Sequence, residues 1–299
     1  MSIKPSKAIA GLSDLAADYD VILSDVWGVV HDGRTHTPSA ADALTRFRAK
    51  GGTVVLITNA PRPHAGIVEM LDAFGLPRAA YDAIVSSGDV TVDLIRQRGA
   101  APLHHIGPPR DLPLFDAAAA RLGEKPPMLS LADADYVVCT GLIDEYGDPE
   151  PYMPSLAAMK ERDLDMICAN PDIVVHVGDD LLWCAGALAE RYQGLGGRVI
   201  MAGKPHAIIY EAALMSAARV RGKDFDRARV LAIGDGLFTD IRGAAAQGFD
   251  ALFITSGIHR DALHPASGAD DWSVDEAAYR NLLAEAGAAP AAHLRELVW

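Results

Sequence analysis

Thr53-Val-Val-Leu-Ile57 is the segment that most narrows the fold. It is short, apolar after its first residue and rich in β-branched side chains, so a strand built from it has no face for water and must be covered on both sides. Helical patterns flank it. Before it, Thr37-Pro38-Ser39 reads as a helix start, with Thr as N-cap and Pro at the first helical position. Ala40, Ala43, Leu44 and Phe47 then share one face, and Gly51-Gly52 closes the helix. After it, Ile67, Val68, Leu71 and Phe74 share a second helical face that ends at Gly75. Tyr81–Val85 reads as the next strand. Upstream, a short helix over Ser13–Tyr19 leads into the strand Val21–Leu23. This alternation predicts an α/β fold with a doubly wound, parallel, Rossmann-like core sheet.

The middle of the chain differs in texture. Most of the chain's prolines fall there, among them Pro102, Pro108, Pro109, Pro113, Pro126, Pro127, Pro151, Pro154 and Pro171. Strands are still readable at Tyr136–Cys139 and Met166–Cys168, with helices near Asp116–Leu122 and Leu156–Glu161. At 299 residues the chain exceeds one average domain. The expectation is therefore a core formed by residues 1–91 and 198–299, with residues 92–197 inserted as a second α/β domain. The alternation resumes at Arg198–Ala202, a helix through Ile208–Ala218, and strands at Val230–Ile233 and Ala251–Ile254.

In open α/β sheets, ligands gather at the carboxyl ends of strands, and several such ends carry reactive side chains. The apolar run at Val21 stops at Asp25, with Gly28 following to let the backbone turn. A carboxylate so placed can act as a nucleophile or a metal ligand. Thr58-Asn59 ends the next strand and Ser86-Ser87 the one after. Gly234-Asp235 ends a strand further on, with Thr239-Asp240 in the turn beyond. Taken alone, that last segment is an ordinary strand–turn–helix with Asp240 as a cap. With Asp25 nearby, two more carboxylates make a hard, oxygen-lined pocket suited to Mg²⁺. Lys204, between Gly203 and Pro205, is either an exposed loop lysine or a fixed cation for a phosphoryl group.

Charge and cysteine content exclude other classes. The formal net charge of -13 argues against nucleic acid or an anionic membrane as partner. Cys139, Cys168 and Cys184 are odd in number, lack zinc-ligand spacing and sit among apolar or small residues, which predicts buried thiols rather than disulfides. The first residues lack the apolar core of a signal peptide, and no apolar run is long enough to span a bilayer. The expected compartment is the cytoplasm.

Together, Asp25-Val-Trp-Gly-Val29, Leu56-Ile-Thr58-Asn59, Gly203-Lys204-Pro205, and Gly234-Asp235 with Thr239-Asp240 resemble, in order and in strand-end placement, the four motifs of the haloacid dehalogenase-like (HAD) hydrolase superfamily. More narrowly the chain resembles the NagD-like branch, class IIA, whose cap domain is inserted between the second and third motifs. Ala169-Asn170-Pro171-Asp172, Cys184-Ala-Gly-Ala-Leu188 and Thr255-Ser256-Gly257 add to that likeness. The resemblance implies Mg²⁺-dependent hydrolysis of small phosphomonoesters (sugar, alcohol or nucleotide phosphates) through an aspartyl-phosphate on Asp25. It implies Mg²⁺ held by Asp25, the backbone carbonyl of Trp27 and Asp235, with Asp240 behind them. Thr58 and the N–H of Asn59 would hold phosphoryl oxygens, and Lys204 would neutralise charge. Asn170 and Asp172 would meet the substrate from the cap, with His176, Asp179, Asp180 and Trp183 following them. The acidic pair Asp179 and Asp180 favours sugar or alcohol phosphates over nucleoside polyphosphates. A homodimer through the cap is compatible with the branch.

One position departs from the pattern. The family's phosphatases carry an acid–base Asp two residues past the nucleophile, where this chain has Trp27. An indole N–H cannot exchange protons usefully, and such help is typically worth about 10²–10⁴ in rate. Three readings follow: a phosphatase of low activity, a non-catalytic binder of phosphorylated ligands, or a metal-independent dehalogenase. The dehalogenases carry Tyr at this position but need no metal, whereas Asp235, Asp240 and Lys204 read as metal and phosphate groups. His31, His64 and His206 are the other titratable side chains close to these motifs in sequence.

Overall fold

The computed structural model describes residues 6–177, 180–264 and 273–299. Asp179 lies outside these residues, and of His176 only the backbone is described. The chain forms two compact units. One comprises residues up to Thr58, Val68–Val85 and the chain from Tyr210 onward; the other comprises Asn59–Ile67 and Ser86–Ile209.

The larger unit is built on a seven-stranded sheet. Its strands run, edge to edge, Lys7–Ala8, Ala292–Leu294, Asp250–Ile254, Val230–Gly234, Val21–Ser24, Thr53–Thr58 and Ala83–Ser86. The registered pairs are parallel, with Val21 opposite both Val230 and Thr53. Every residue of the three strands Val230–Gly234, Val21–Ser24 and Thr53–Thr58 is buried. That is the two-sided burial expected of their apolar runs. The chain winds outward from Val21–Ser24 in one direction to Thr53–Thr58 and Ala83–Ser86. In the other direction it winds from Val230–Gly234 to Asp250–Ile254 and Ala292–Leu294. The strand order therefore reverses between Val21–Ser24 and Val230–Gly234, and such a reversal opens a crevice at the strands' carboxyl ends.

The smaller unit carries a four-stranded parallel sheet in the order Arg198–Met201, Asp165–Cys168, Tyr136–Cys139 and Leu103–Ile106. An antiparallel pair, Val174–Val177 with Asp180–Trp183, is added to it in sequence. Its core gathers Ile106, Val137, Leu156, Met159, Met166, Leu188 and Tyr192. Cys139, Cys168 and Cys184 are free and buried, as expected, and burial pushes the Cys139 and Cys184 thiols up to about 12.

Two elements differ from the sequence reading. Ser13–Tyr19 is not one helix but two 3₁₀ turns, Leu12–Asp14 and Ala16–Asp18. Arg198–Met201, placed with the core by its position in the alternation, is the edge strand of the smaller sheet. An apolar run signals a strand but not which sheet receives it. Here Arg198 pairs in register with Asp165 and binds its carboxylate at 2.7 Å. The helix Ser87–Arg98 also belongs to the smaller unit.

Burial pushes the rings of His31, His105 and His259 down from 6.5 to about 4. Between those values the unfolded chain takes up protons that the folded rings refuse. Their contribution to stability is complete above about pH 6.5 and is lost as pH falls towards about 4. Thermal unfolding should show this as a midpoint that drops over that window. A midpoint constant across it would contradict the buried, neutral state of these rings.

Candidate active site

The sheet reversal places two carboxylates on neighbouring strand ends. Asp25 follows Val21–Ser24, and its N–H donates to the Ile233 carbonyl at 2.7 Å, continuing the pairing one step past the strand. Asp235 follows Val230–Gly234. The chain then turns through Leu237–Ile241, a single wide helical turn that returns Asp240 to the same place. Asp25 and Asp235 are each 7 % exposed and Asp240 is 3 % exposed. One oxygen of each lies within 4.8 Å of the others. At that spacing each like-charged pair repels by roughly 3 kcal/mol at an effective dielectric constant of about 20. A hard divalent cation matches both the charge and the oxygen donors.

The carboxylates are held from several sides. The Ile258 N–H donates to Asp235 Oδ2 at 2.8 Å and the Gly236 N–H to Asp240 Oδ2 at 3.0 Å. A Cβ at Gly28, whose φ is +80°, would stand 2.1 Å from Asp235 Oδ2, and one at Gly257 would stand 2.0 Å from the same atom. Glycine at both positions lets backbone close around this carboxylate. The sequence pointed to Gly257 only through Thr255-Ser256-Gly257; its contact with Asp235 joins residues 22 positions apart.

Trp27 turns back onto its own loop. Its ring meets the His31 ring edge-on at 5.2 Å, and His31 in turn meets Phe74 at 5.2 Å. Gly33 lies so close that a Cβ there would come 2.9 Å from Trp27 Cζ2. The Gly33 N–H donates to His31 Nδ1 at 2.9 Å, and the Gly28 N–H to the His31 carbonyl at 2.9 Å. His31 is thus a buried loop fastener, and Trp27 is packing. His64 is exposed and bonds Asp89 at 2.8 Å, and His206 is exposed.

Thr58 is buried at the end of its strand. Ser86 caps the helix Ser87–Arg98, accepting from the Asp89 N–H at 2.9 Å while its hydroxyl donates to the Arg62 carbonyl at 2.6 Å. In the smaller unit the Asn59 side chain is clipped to the lysine loop. Its Oδ1 accepts from the Lys204 N–H at 2.7 Å and its Nδ2 donates to the Lys204 carbonyl at 3.1 Å. The same Nδ2 donates to Asp172 Oδ1 at 2.8 Å. Asn59 and Lys204 are each 3 % exposed. Asn170 Oδ1 accepts from the Asp172 N–H at 3.1 Å. Asp180 and Trp183 are exposed.

Comparison with known proteins fits this arrangement. The model of the haloacid dehalogenase-like hydrolase family matches residues 22–120, and a related HAD-hydrolase-like model matches residues 201–278. A solved hydrolase of the haloacid dehalogenase-like family from Brucella suis 1330 is 44% identical, with a TM-score of 0.81 over 99% of this chain and 100% of that one. The chain belongs to the haloacid dehalogenase-like hydrolases. Within that family its structural neighbours are those of the NagD-like class IIA branch. A D-glycerol 3-phosphate phosphatase of Mycobacterium tuberculosis is 26% identical over 266 residues, covering 83% of this chain and 66% of that enzyme. A solved glycerol phosphate phosphatase from the same organism, in complex with magnesium, is 27% identical with a TM-score of 0.61, over 84% of this chain and 72% of that one. Among the described residues no helix is long and apolar enough to cross a membrane.

The carboxylate cluster of this HAD-like hydrolase generates a stability prediction. In metal-free protein, Asp235→Asn removes one like charge and should raise, or leave unchanged, the melting temperature. It should also shrink the stabilisation gained on adding a divalent cation. Differential scanning calorimetry with and without the cation reads both. An undiminished gain would mean that Asp235 does not hold it.

Proposed function

We propose that the protein is a Mg²⁺-dependent phosphatase of small phosphomonoesters, with an alcohol phosphate such as glycerol phosphate as the favoured substrate class. The observation that carries this reading is the trio of buried carboxylates at and beside the point where the strand order reverses. The relatives named for glycerol phosphate hydrolysis, one of them solved with magnesium, support it. The donor set is all oxygen and all anionic, which fits Mg²⁺. Asp25, Asp235 and the Trp27 carbonyl would hold the ion, with Asp240 supporting them. When bound, the ion offsets the negative charge that phosphate brings towards Asp25.

The chain's own residues then do the following. An Asp25 carboxylate oxygen attacks phosphorus, forming the aspartyl-phosphate as the bond to the ester oxygen breaks. The family resemblance assigns Thr58 and the Asn59 N–H to the phosphoryl oxygens and Lys204 to the compensating charge. The departing alkoxide needs a proton, and the indole of Trp27 has none to give. Solvent must provide it, and solvent must also supply the unassisted water that cleaves the aspartyl-phosphate. Both steps are slowed, so turnover of an alcohol phosphate is low and falls further as the leaving alcohol becomes more basic. A metal-independent dehalogenase needs one nucleophilic carboxylate, so the clustering of Asp235 and Asp240 with Asp25 favours the metal-dependent reading.

The expected outcome is phosphate release from 4-nitrophenyl phosphate and glycerol phosphate that needs Mg²⁺ and vanishes in Asp25→Asn. Trp27→Asp should raise kcat by about 10-fold or more on the poorer leaving group, although it removes the packing on His31 and Gly33. If wild-type protein binds phosphate esters but releases no phosphate, the chain is a binding protein instead. If Trp27→Asp folds and gains nothing, the missing acid is not the limit.

A further inference from the structure

Asp172 stands where the family resemblance expects a substrate contact, yet its carboxylate is engaged elsewhere. Its Oδ1 accepts from Asn59 Nδ2 at 2.8 Å. Asn59 in turn grips both main-chain polar groups of Lys204, accepting from its N–H at 2.7 Å and donating to its carbonyl at 3.1 Å. All three residues lie in one unit of the chain.

The chemistry of this chain of bonds has one consistent orientation. A carboxylate only accepts, and a backbone N–H only donates. Asn59 must therefore point its amide nitrogen at Asp172 and its oxygen at the Lys204 N–H. Turned over, it would face the N–H with another donor. Asp172 is what makes that orientation the favoured one, because it adds a charged acceptor on the nitrogen side. The surrounding backbone is shaped to allow the contact. A Cβ at Gly203 would stand 2.3 Å from Asn59 Oδ1 and 2.8 Å from Pro171 Cδ. A Cβ at Gly186 would stand 2.3 Å from the Pro171 carbonyl oxygen and 2.5 Å from that of Asp172. The Gly186 N–H donates to the Asp172 carbonyl at 3.1 Å, and the Asp172 N–H donates to Asn170 Oδ1. The Asn170-Pro171-Asp172 loop is thus pinned from the Cys184–Leu188 side while its carboxylate reaches Asn59.

We infer that Asp172 is a positioning residue, which acts through Asn59 to set the main chain of Lys204 and so the place of its ammonium group. This rests on the phosphatase reading for the role of Lys204 and goes beyond it by removing Asp172 from the set of leaving-group contacts. A group that positions a phosphoryl-handling lysine affects every ester alike. A group that touches the leaving alcohol affects esters unequally.

The test compares Asp172→Ala, which deletes the acceptor, with Asp172→Asn, which keeps an acceptor oxygen. Asp172→Ala should lower kcat by about 10–100-fold, the value of one charge-assisted hydrogen bond, by the same factor for each ester and with little change in KM. Asp172→Asn should restore most of it. In the Lys204→Ala background, Asp172→Ala should cost nothing further. Without any substrate, amide hydrogen exchange at Lys204 should speed up in Asp172→Ala and remain slow in Asp172→Asn. A loss that differs from ester to ester and is not restored by Asn would overturn the inference, as would unchanged exchange at Lys204. A wild type that releases no phosphate would remove the phosphatase reading and the catalytic half of the inference. The exchange rates would still decide whether Asp172 orders the lysine loop.

Discussion

Like charges held close in a buried place are the constraint on which the rest of this structure depends. Asp25, Asp235 and Asp240 bring three carboxylates together at under a tenth exposure. Nothing in the hydrophobic economy of the sheet favours that arrangement. It is enforced by backbone: an inter-strand hydrogen bond at Asp25, an N–H from Ile258 on Asp235, an N–H from Gly236 on Asp240, and glycines at 28 and 257 that admit the approach. The fully buried strands fix the backbone from which these groups project. A divalent cation placed among them would relieve that repulsion, which is why the cluster carries the proposed metal site.

Trp27 fits within this frame without disturbing it. Trp27 is a packing residue, with its indole laid against His31 and Gly33 of its own loop, at the position where the resemblance expects an acid–base Asp. Gly28, at a φ of +80°, turns the backbone after Asp25, and under the proposed function the Trp27 carbonyl would serve a cation while its indole supplies no proton.

Much of this was legible in the sequence, and the limits have physical causes. The short apolar runs Val21–Leu23, Thr53–Ile57 and Val230–Ile233 carry a strand signal in the sequence, and Asp25 and Asp235 stand just past two of those strands, with Asp240 in the turn beyond. Arg198–Met201 could not be assigned to its sheet, because a short apolar run carries no information about its neighbour. The two-residue strand Lys7–Ala8 is exposed and carries no pattern at all. The Asn59 clip was invisible for another reason. Its partners Asp172 and Lys204 lie 113 and 145 positions away, and only the folded chain shows that its side chain is occupied.

Covalent chemistry at Asp25 is tested most directly by acid-quenched mass spectrometry of the protein during turnover of 4-nitrophenyl phosphate with Mg²⁺. With no base at position 27 to activate water, breakdown of the aspartyl-phosphate should be slow enough for it to accumulate. A phosphate should therefore be found on the peptide bearing Asp25 and be absent in Asp25→Asn. Phosphate release by protein whose Asp25 peptide never carries the modification would rule out Asp25 as the nucleophile.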